Sequence, residues 1–279
     1  MSATSSPLSR TVIKPAGRWQ GWGLDELWRH RRICLVLARR NLMVRYRQTV
    51  VGAGWAIIQP TLLMLTFTVF FGFLSRIPSA GLPYPVFFLL GLVPWQMVSK
   101  IVNEGSTSVV ANGALVTRVY LPRAYFPTSV ALASLVDLAL VSLVLVVFLA
   151  AFGIVPGATV AVVPLFVLVA WVAALGVAYW LSALNVAYRD ITQMLPFLIQ
   201  IWMFATPIIY PASLIPEAFR ALYFLNPLAF VVSGFRWAVA GVDIPPLEAW
   251  LLGPAVAALL LVSGYAFFRH RERTFADLI

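Results

Sequence analysis

The stretch LMVRYRQTVVGAGWAIIQP, Leu42 to Pro60, is where a basic surface gives way to uncharged, apolar chain. Arg45 and Arg47 flank Tyr46, and after Thr49 no charged residue occurs until Arg76. A positive flank that ends this abruptly marks a chain entering lipid. Gly52, Ala53 and Gly54 let another backbone come close, Trp55 suits a headgroup boundary, and Pro60 predicts a bend in a helix already inside the bilayer.

Composition sets the class. Hydrophobic residues make up 61% of the chain and charged residues 11%, mean hydropathy is +0.90, and the apolar residues fall in long blocks. These values define an integral membrane protein, and the block lengths make it all-α. The net charge of +10 sits mostly just outside those blocks, with no basic and aromatic module between them. Membrane topology and membrane lipids account for it, and no nucleic acid partner is expected. Cys34 is the single cysteine, so no intramolecular disulfide is possible. The first 30 residues lack an apolar h-region, so no cleaved signal peptide is expected.

Outward from the opening stretch, residues 1–23 read as a flexible cytosolic tail, and residues 24–44 as an amphipathic interfacial helix. In that helix Trp28, Ile33, Leu35, Leu37 and Leu42 recur near helical spacing among arginines, a pattern also open to a soluble helix docked on a partner. Residues 45–279 read as a transmembrane domain, with six transmembrane helices near 52–74, 84–111, 128–152, 160–184, 193–210 and 247–268. Residues 211–241 are too broken by proline to span and too apolar for water. They predict a re-entrant pair of short helices between the fifth and sixth spans. Lys100, Asn103 and Glu104 lie at membrane depth, where Lys100 and Glu104 either pair four residues apart or line a polar path. Asp137 is either functional or bonded to a hydroxyl such as Ser142 or Ser182.

Charge orients these spans. Arg76, Arg220 and Arg236 fall on one side, Lys100 lies within the second span, and every other basic residue shares the side of both termini, which is therefore cytosolic. On that side, residues 112–124 form a short connector whose Val119, Tyr120 and Leu121 make an apolar knob before Pro122 and Arg123, read as a docking element. Arg189 and Asp190 stand in a second inner loop as a solvated pair or a contact. No G-x-x-x-x-G-K-[ST] loop, no G-x-S-x-G and no metal-ligand spacing around His30 or His270 occurs. The chain reads as a conduit without its own ATPase site, not as an enzyme, and no cofactor or metal bound by it is expected.

The motif R-Y-R-x-x-x-x-G-x-x-W-x-x-x-x-P of Arg45 to Pro60, the L-P-R of Leu121 to Arg123 and the N-x-x-Y-R-D-I of Asn185 to Ile191 resemble permeases of ABC exporters for O-antigen, capsule and teichoic acid polymers. The resemblance covers most of the chain from about Leu24. It implies a homodimer in the bacterial inner membrane, working with two copies of a separate ATPase that uses ATP and Mg. It makes residues 112–124 the coupling helix, so Val119, Tyr120, Leu121, Pro122, Arg123, Arg189 and Asp190 become ATPase-coupling residues. Its implied cargo is a lipid-linked polysaccharide, although the family also carries other lipids and drugs. Such a cargo bears a diphosphate, which guanidinium groups at the membrane boundary, Arg39, Arg40, Arg45 and Arg47, could bind. Its sugars could slide over Trp95, Trp202, Phe204, Tyr210, Phe219, Tyr223 and Phe224, which otherwise serve as interfacial belt or packing. An ion-coupled secondary transporter is the rival class, with only Lys100, Glu104 and Asp137 to couple through and no internal repeat.

Overall fold

The structure, a computed structural model, describes residues 28–29, 31–47, 52–118 and 121–275; the expected tail at 1–23 lies outside them. Helices are α1 (Arg31–Arg47), α2 (Trp55–Phe67), α3 (Tyr84–Ala111), α4 (Gly113–Arg118), α5 (Tyr125–Ala151), α6 (Val163–Ala187), α7 (Ile191–Phe204), α8 (Glu217–Tyr223), α9 (Pro227–Ala240) and α10 (Leu247–Arg271). Strands are absent among the described residues. The protein is an all-α integral membrane protein, because only helices satisfy their own backbone bonds within lipid.

Five helical segments are long and apolar enough to cross a bilayer among the described residues: Trp55–Leu74, Tyr84–Ala111, Tyr125–Ala151, Ala158–Ala187 and Leu247–Thr274. The first ends in a π-helical stretch, Thr68–Leu74, and the fourth begins with a 3₁₀ turn, Ala158–Val162. Burial separates their roles, because 78% of the apolar window of α3 is buried against 11% of that of the first segment. The α3 helix is the central post, packed by α5, α6 and α9, and the first segment lies at the edge, with Leu62 of α2 and Val69, Phe70 and Phe73 of the π-helical stretch exposed.

In the place of the expected fifth span stands α7, with 14 residues and an internal Pro196. At 1.5 Å per residue it is about 21 Å long, short of a hydrocarbon core of about 30 Å. The backbone then leaves helical form, and α8 and α9 follow as a pair bent by 105°. The pair falls within the segment 211–241, and its bend is that of either a broken span or a re-entrant loop. Asn226 shapes the corner: its Oδ1 accepts from the Leu228 amide at 3.1 Å and from Trp202 Nε1 at 3.1 Å, and its Nδ2 donates to Thr206 Oγ1 at 3.0 Å.

Non-helical backbone at this depth needs polar partners. Arg236 of α9, fully buried, supplies them: Nη2 donates to the Ile208 carbonyl at 2.9 Å and Nη1 to Asp243 at 3.2 Å, while its guanidinium lies 3.5 Å from the Phe87 ring centroid. Tyr84 at the start of α3 donates to the Ile209 carbonyl at 3.0 Å.

The closest crossing is that of α6 and α10, which has glycine on both sides. A Cβ on Gly176 would fall 2.4 Å from the Leu260 carbonyl carbon, and one on Gly264 would fall 2.2 Å from the Gly176 oxygen. Because the obstructing atoms are backbone, the helices must separate to admit a side chain. Gly176→Val is expected to destabilise the protein by about 3 kcal/mol, the upper end of overpacking costs. Gly157→Ala, where a Cβ meets only Thr159 Oγ1 at 3.7 Å, should stay within about 0.5 kcal/mol of the parent. Unfolding in detergent followed by tryptophan fluorescence distinguishes the two.

Candidate functional site

Four segments distant in sequence meet at one end of the bundle. The stripe Cys34, Leu37, Ala38, Asn41 and Arg45 runs at helical spacing along α1, and its residues turn toward α5 and the end of α3. Asn41 Nδ2 donates to Ser129 Oγ at 3.2 Å, and Arg40 donates to the Asn112 side-chain oxygen. Burial pushes the Cys34 thiol up to about 11. Leu35 and Val36 face outward, so α1 exposes a different part of its apolar surface from Leu37, which docks on protein.

At the end of this stripe Arg45 enters a cluster of charges. Its guanidinium pairs with Glu104 of α3 and with Asp137 of α5, and Lys100 Nζ lies 2.9 Å from Asp137 Oδ2. The sequence allows Asp137 to be functional or bonded to Ser142 or Ser182, and Lys100 and Glu104 to pair along one helix face or to line a polar path. Both pairings are corrected. Ser142 Oγ donates instead to its own helix, at the Leu138 carbonyl 2.8 Å away. A buried carboxylate recovers more from two cations than from a hydroxyl, and Asp137, 5% exposed, takes them from two other elements. Beside the cluster lies a cavity of about 260 Å³ lined by Arg45, Gly52, Trp55, Ala56, Gln59, Gln96, Met97, Lys100, Asp137, Leu138 and Val141.

The four arginines expected to share a diphosphate are spread out. Arg39 is exposed, Arg40 is held by Asn112, Arg45 is held by carboxylates, and the Arg47 side chain lies outside the described part of the structure. Among the expected coupling residues, Val119 and Tyr120 also lie outside the described residues. Leu121, Pro122 and Arg123 are half-buried, while Arg189 and Asp190 are exposed just before α7. Arg123 has a partner that sequence reading missed. Its backbone N–H donates to Glu272 Oε1 at 2.8 Å and its guanidinium to the Glu272 carbonyl. Glu272 also accepts from Arg269 at 2.6 Å. The connector is thus tied to the 3₁₀ turn Glu272–Thr274 that ends the last span. No spacing signal links positions so far apart in the chain.

At the opposite end, the expected aromatic path divides. Trp95 and Phe224 are buried, so they serve as packing; Trp95 meets Trp202 edge-on at 5.9 Å between centroids. Tyr210 and Tyr223 bond through their hydroxyls at 3.3 Å, and Tyr210 Oη donates to the Phe204 carbonyl at 3.0 Å. Trp202, Phe219 and Tyr223 line an open apolar hollow of about 720 Å³ between α8 and α10. Phe204 is exposed nearby in sequence but is absent from its wall.

A multi-span helical bundle with polar elements gathered at one end and a bent helix pair at the other is the form of a membrane permease. Residues 32–239 match the family described as ABC-2 type transporter, and the chain belongs to that family. It is similar to the O-antigen export system permease protein RfbA of Myxococcus xanthus, 32% identical over 91% of this chain and 98% of the relative. A second RfbA, from Klebsiella pneumoniae, is 28% identical over 73% of this chain and 78% of its own. The polysialic acid transport protein KpsM of Escherichia coli is 26% identical over 84% and 91%.

The charge cluster joins α1, α3 and α5, so its loss should be felt globally. Asp137→Ala is expected to destabilise the protein by about 3 kcal/mol, the lower end for breaking a buried ion pair because the adjoining cavity admits water. Combining Asp137→Leu with Lys100→Met should recover part of that loss. Thermal unfolding of the single and double variants measures the coupling, and additive losses would dissolve the cluster as a unit.

Proposed function

We propose that this chain is the membrane-spanning subunit of an ABC exporter that carries a lipid-linked polysaccharide out of the cytosol. The observation that carries this reading is similarity to polysaccharide export permeases over nearly the full length of both chains. Power comes from a separate ATPase that uses ATP and Mg. Two copies of the chain form the path between them, with two ATPases below. The protein resides in the bacterial inner membrane with both termini cytosolic, a topology supported by the concentration of basic residues on one side.

In this reading the ATPase pushes on the connector from Val119 to Arg123 and on the loop at Arg189 and Asp190. The paired contacts of Arg123 with Glu272 carry that push to the last span. Glu272→Ala is therefore expected to lower export at least several-fold while leaving the ATPase bound, as measured by surface polymer and by copurification. Equal export with intact assembly would remove Glu272 from the transmission route.

Deletion of the chain tests the whole reading: surface polymer should disappear while lipid-linked polymer accumulates inside. Topology has its own test. Cys34, buried and with its thiol pushed up to about 11, should stay unlabelled by an impermeant maleimide at pH 7. Against that silent background Ser75→Cys should label in intact spheroplasts, and Arg189→Cys only after permeabilisation. The reverse pattern would invert the protein.

A further inference from the structure

The cavity beside the charge cluster takes no part in the reading above. Trp55 and Gln59 stand one turn apart on α2, and Gln96 and Lys100 one turn apart on α3, so two helical pairs line the same space. Neither Gln59 nor Gln96 has a hydrogen-bond partner among the described residues. Each amide therefore offers two donors and an acceptor to whatever enters. Trp55 is 51% exposed and offers an indole face, whose negative quadrupole attracts polarised C–H groups.

Charge decides what kind of ligand suits this place. Among the described residues, Arg45 and Lys100 meet Glu104 and Asp137, two cations against two carboxylates. A diphosphate approaching Arg45 meets both carboxylates as well, and their repulsion offsets the attraction. A zwitterionic headgroup gains only by breaking ion pairs that exist. A polyol needs neither change, because its hydroxyls bond to free amides and leave the salt bridges in place. The volume, about 260 Å³, lies just under the about 300 Å³ at which pockets for drug-sized ligands begin. It suits one sugar ring and not a length of chain.

We infer that this cavity is a subsite for a single neutral pyranose unit of the exported polymer. Gln59 and Gln96 bond to its hydroxyls, and Trp55 lies against its C–H face. The inference rests on the polysaccharide reading and moves Arg45 from diphosphate binding to holding the wall of a sugar site.

The test uses the chain copurified with its ATPase in phosphatidylglycerol nanodiscs. The probe is a tritiated oligosaccharide released by mild acid from the host's own surface polymer, free of lipid and diphosphate, and binding is measured by equilibrium dialysis. The parent complex should bind it saturably, and Gln59→Leu/Gln96→Leu should weaken binding at least tenfold, because both amides that bond its hydroxyls are lost. Gln59→Leu alone, at an exposed position, should show an intermediate loss if the double variant fails to fold. Inorganic diphosphate should not compete, and exchange of the lipid for phosphatidylethanolamine should not reduce binding. Unchanged affinity in the variants, displacement by diphosphate, or blockage by phosphatidylethanolamine overturns the subsite. No binding to the parent, in a host whose surface polymer depends on the chain, overturns the subsite and leaves export standing. A host that keeps its surface polymer without the chain overturns export itself.

Discussion

A carboxylate enclosed by apolar helices cannot keep its charge without a cation at contact distance, and Asp137 meets that requirement from outside its own helix. One cation, Lys100, comes from the central post and the other, Arg45, from the end of α1. The pairing therefore does more than neutralise a charge. It ties α1, α3 and α5 at one point, so α1 cannot slide along the bundle without exposing a buried carboxylate to a loss of several kcal/mol. Glu104 completes the balance by taking the other arm of Arg45. The bland expectation for a basic helix before a first span is that it floats on lipid headgroups; here one stripe of it is bolted to protein, and Leu35 and Val36 stay exposed.

The same electrostatic demand governs the far end with the signs exchanged. There the problem is backbone carbonyls released where α7 stops, and the answer is a buried cation. Arg236 bonds to the Ile208 carbonyl, pairs with Asp243 and rests on Phe87 of the central post. A guanidinium suits this task better than an ammonium, because its planar donors reach several acceptors while its face stacks on an aromatic ring. The central helix is therefore anchored near both ends by one charged side chain from a peripheral element: Arg45 from α1 and Arg236 from α9.

How far these features could be read from the residues depended on distance along the chain. The span expected at 193–210 is instead the short α7, while the membrane class and the broken character of 211–241 follow from local hydropathy and proline placement. Partner choice does not. Lys100 and Glu104 satisfy the spacing rule for a pair on one helix, yet Asp137 lies closer to Lys100 in space and is more deeply buried, so it takes the cation. Arg123 and Glu272 carry no mutual signal at all, because their contact depends on α10 ending beside the start of α5. The aromatic path was only partly legible for a related reason. Composition places Trp95 and Phe224 among aromatic residues near the outer end, but it does not say which rings the packing of the bent pair turns inward.

Transmission through such a bundle depends on which helices share the first moving part. The connector after α3 is continuous with the central post, and Asn112 at its start is held by Arg40 of α1. Arg123 at its far end is held by Glu272 below α10. A displacement of this connector would therefore act at once on α1, the central post and the last span. The last span packs most closely on α6 through Gly176 and Gly264, where backbone touches backbone and little compliance is available. Between α10 and α8 the opposite holds, since an open hollow of about 720 Å³ separates them. Motion passed into α10 would thus be resisted on its α6 side and free on the side of the bent pair, which makes the aromatic hollow the place where a push at the basic end would have room to change shape.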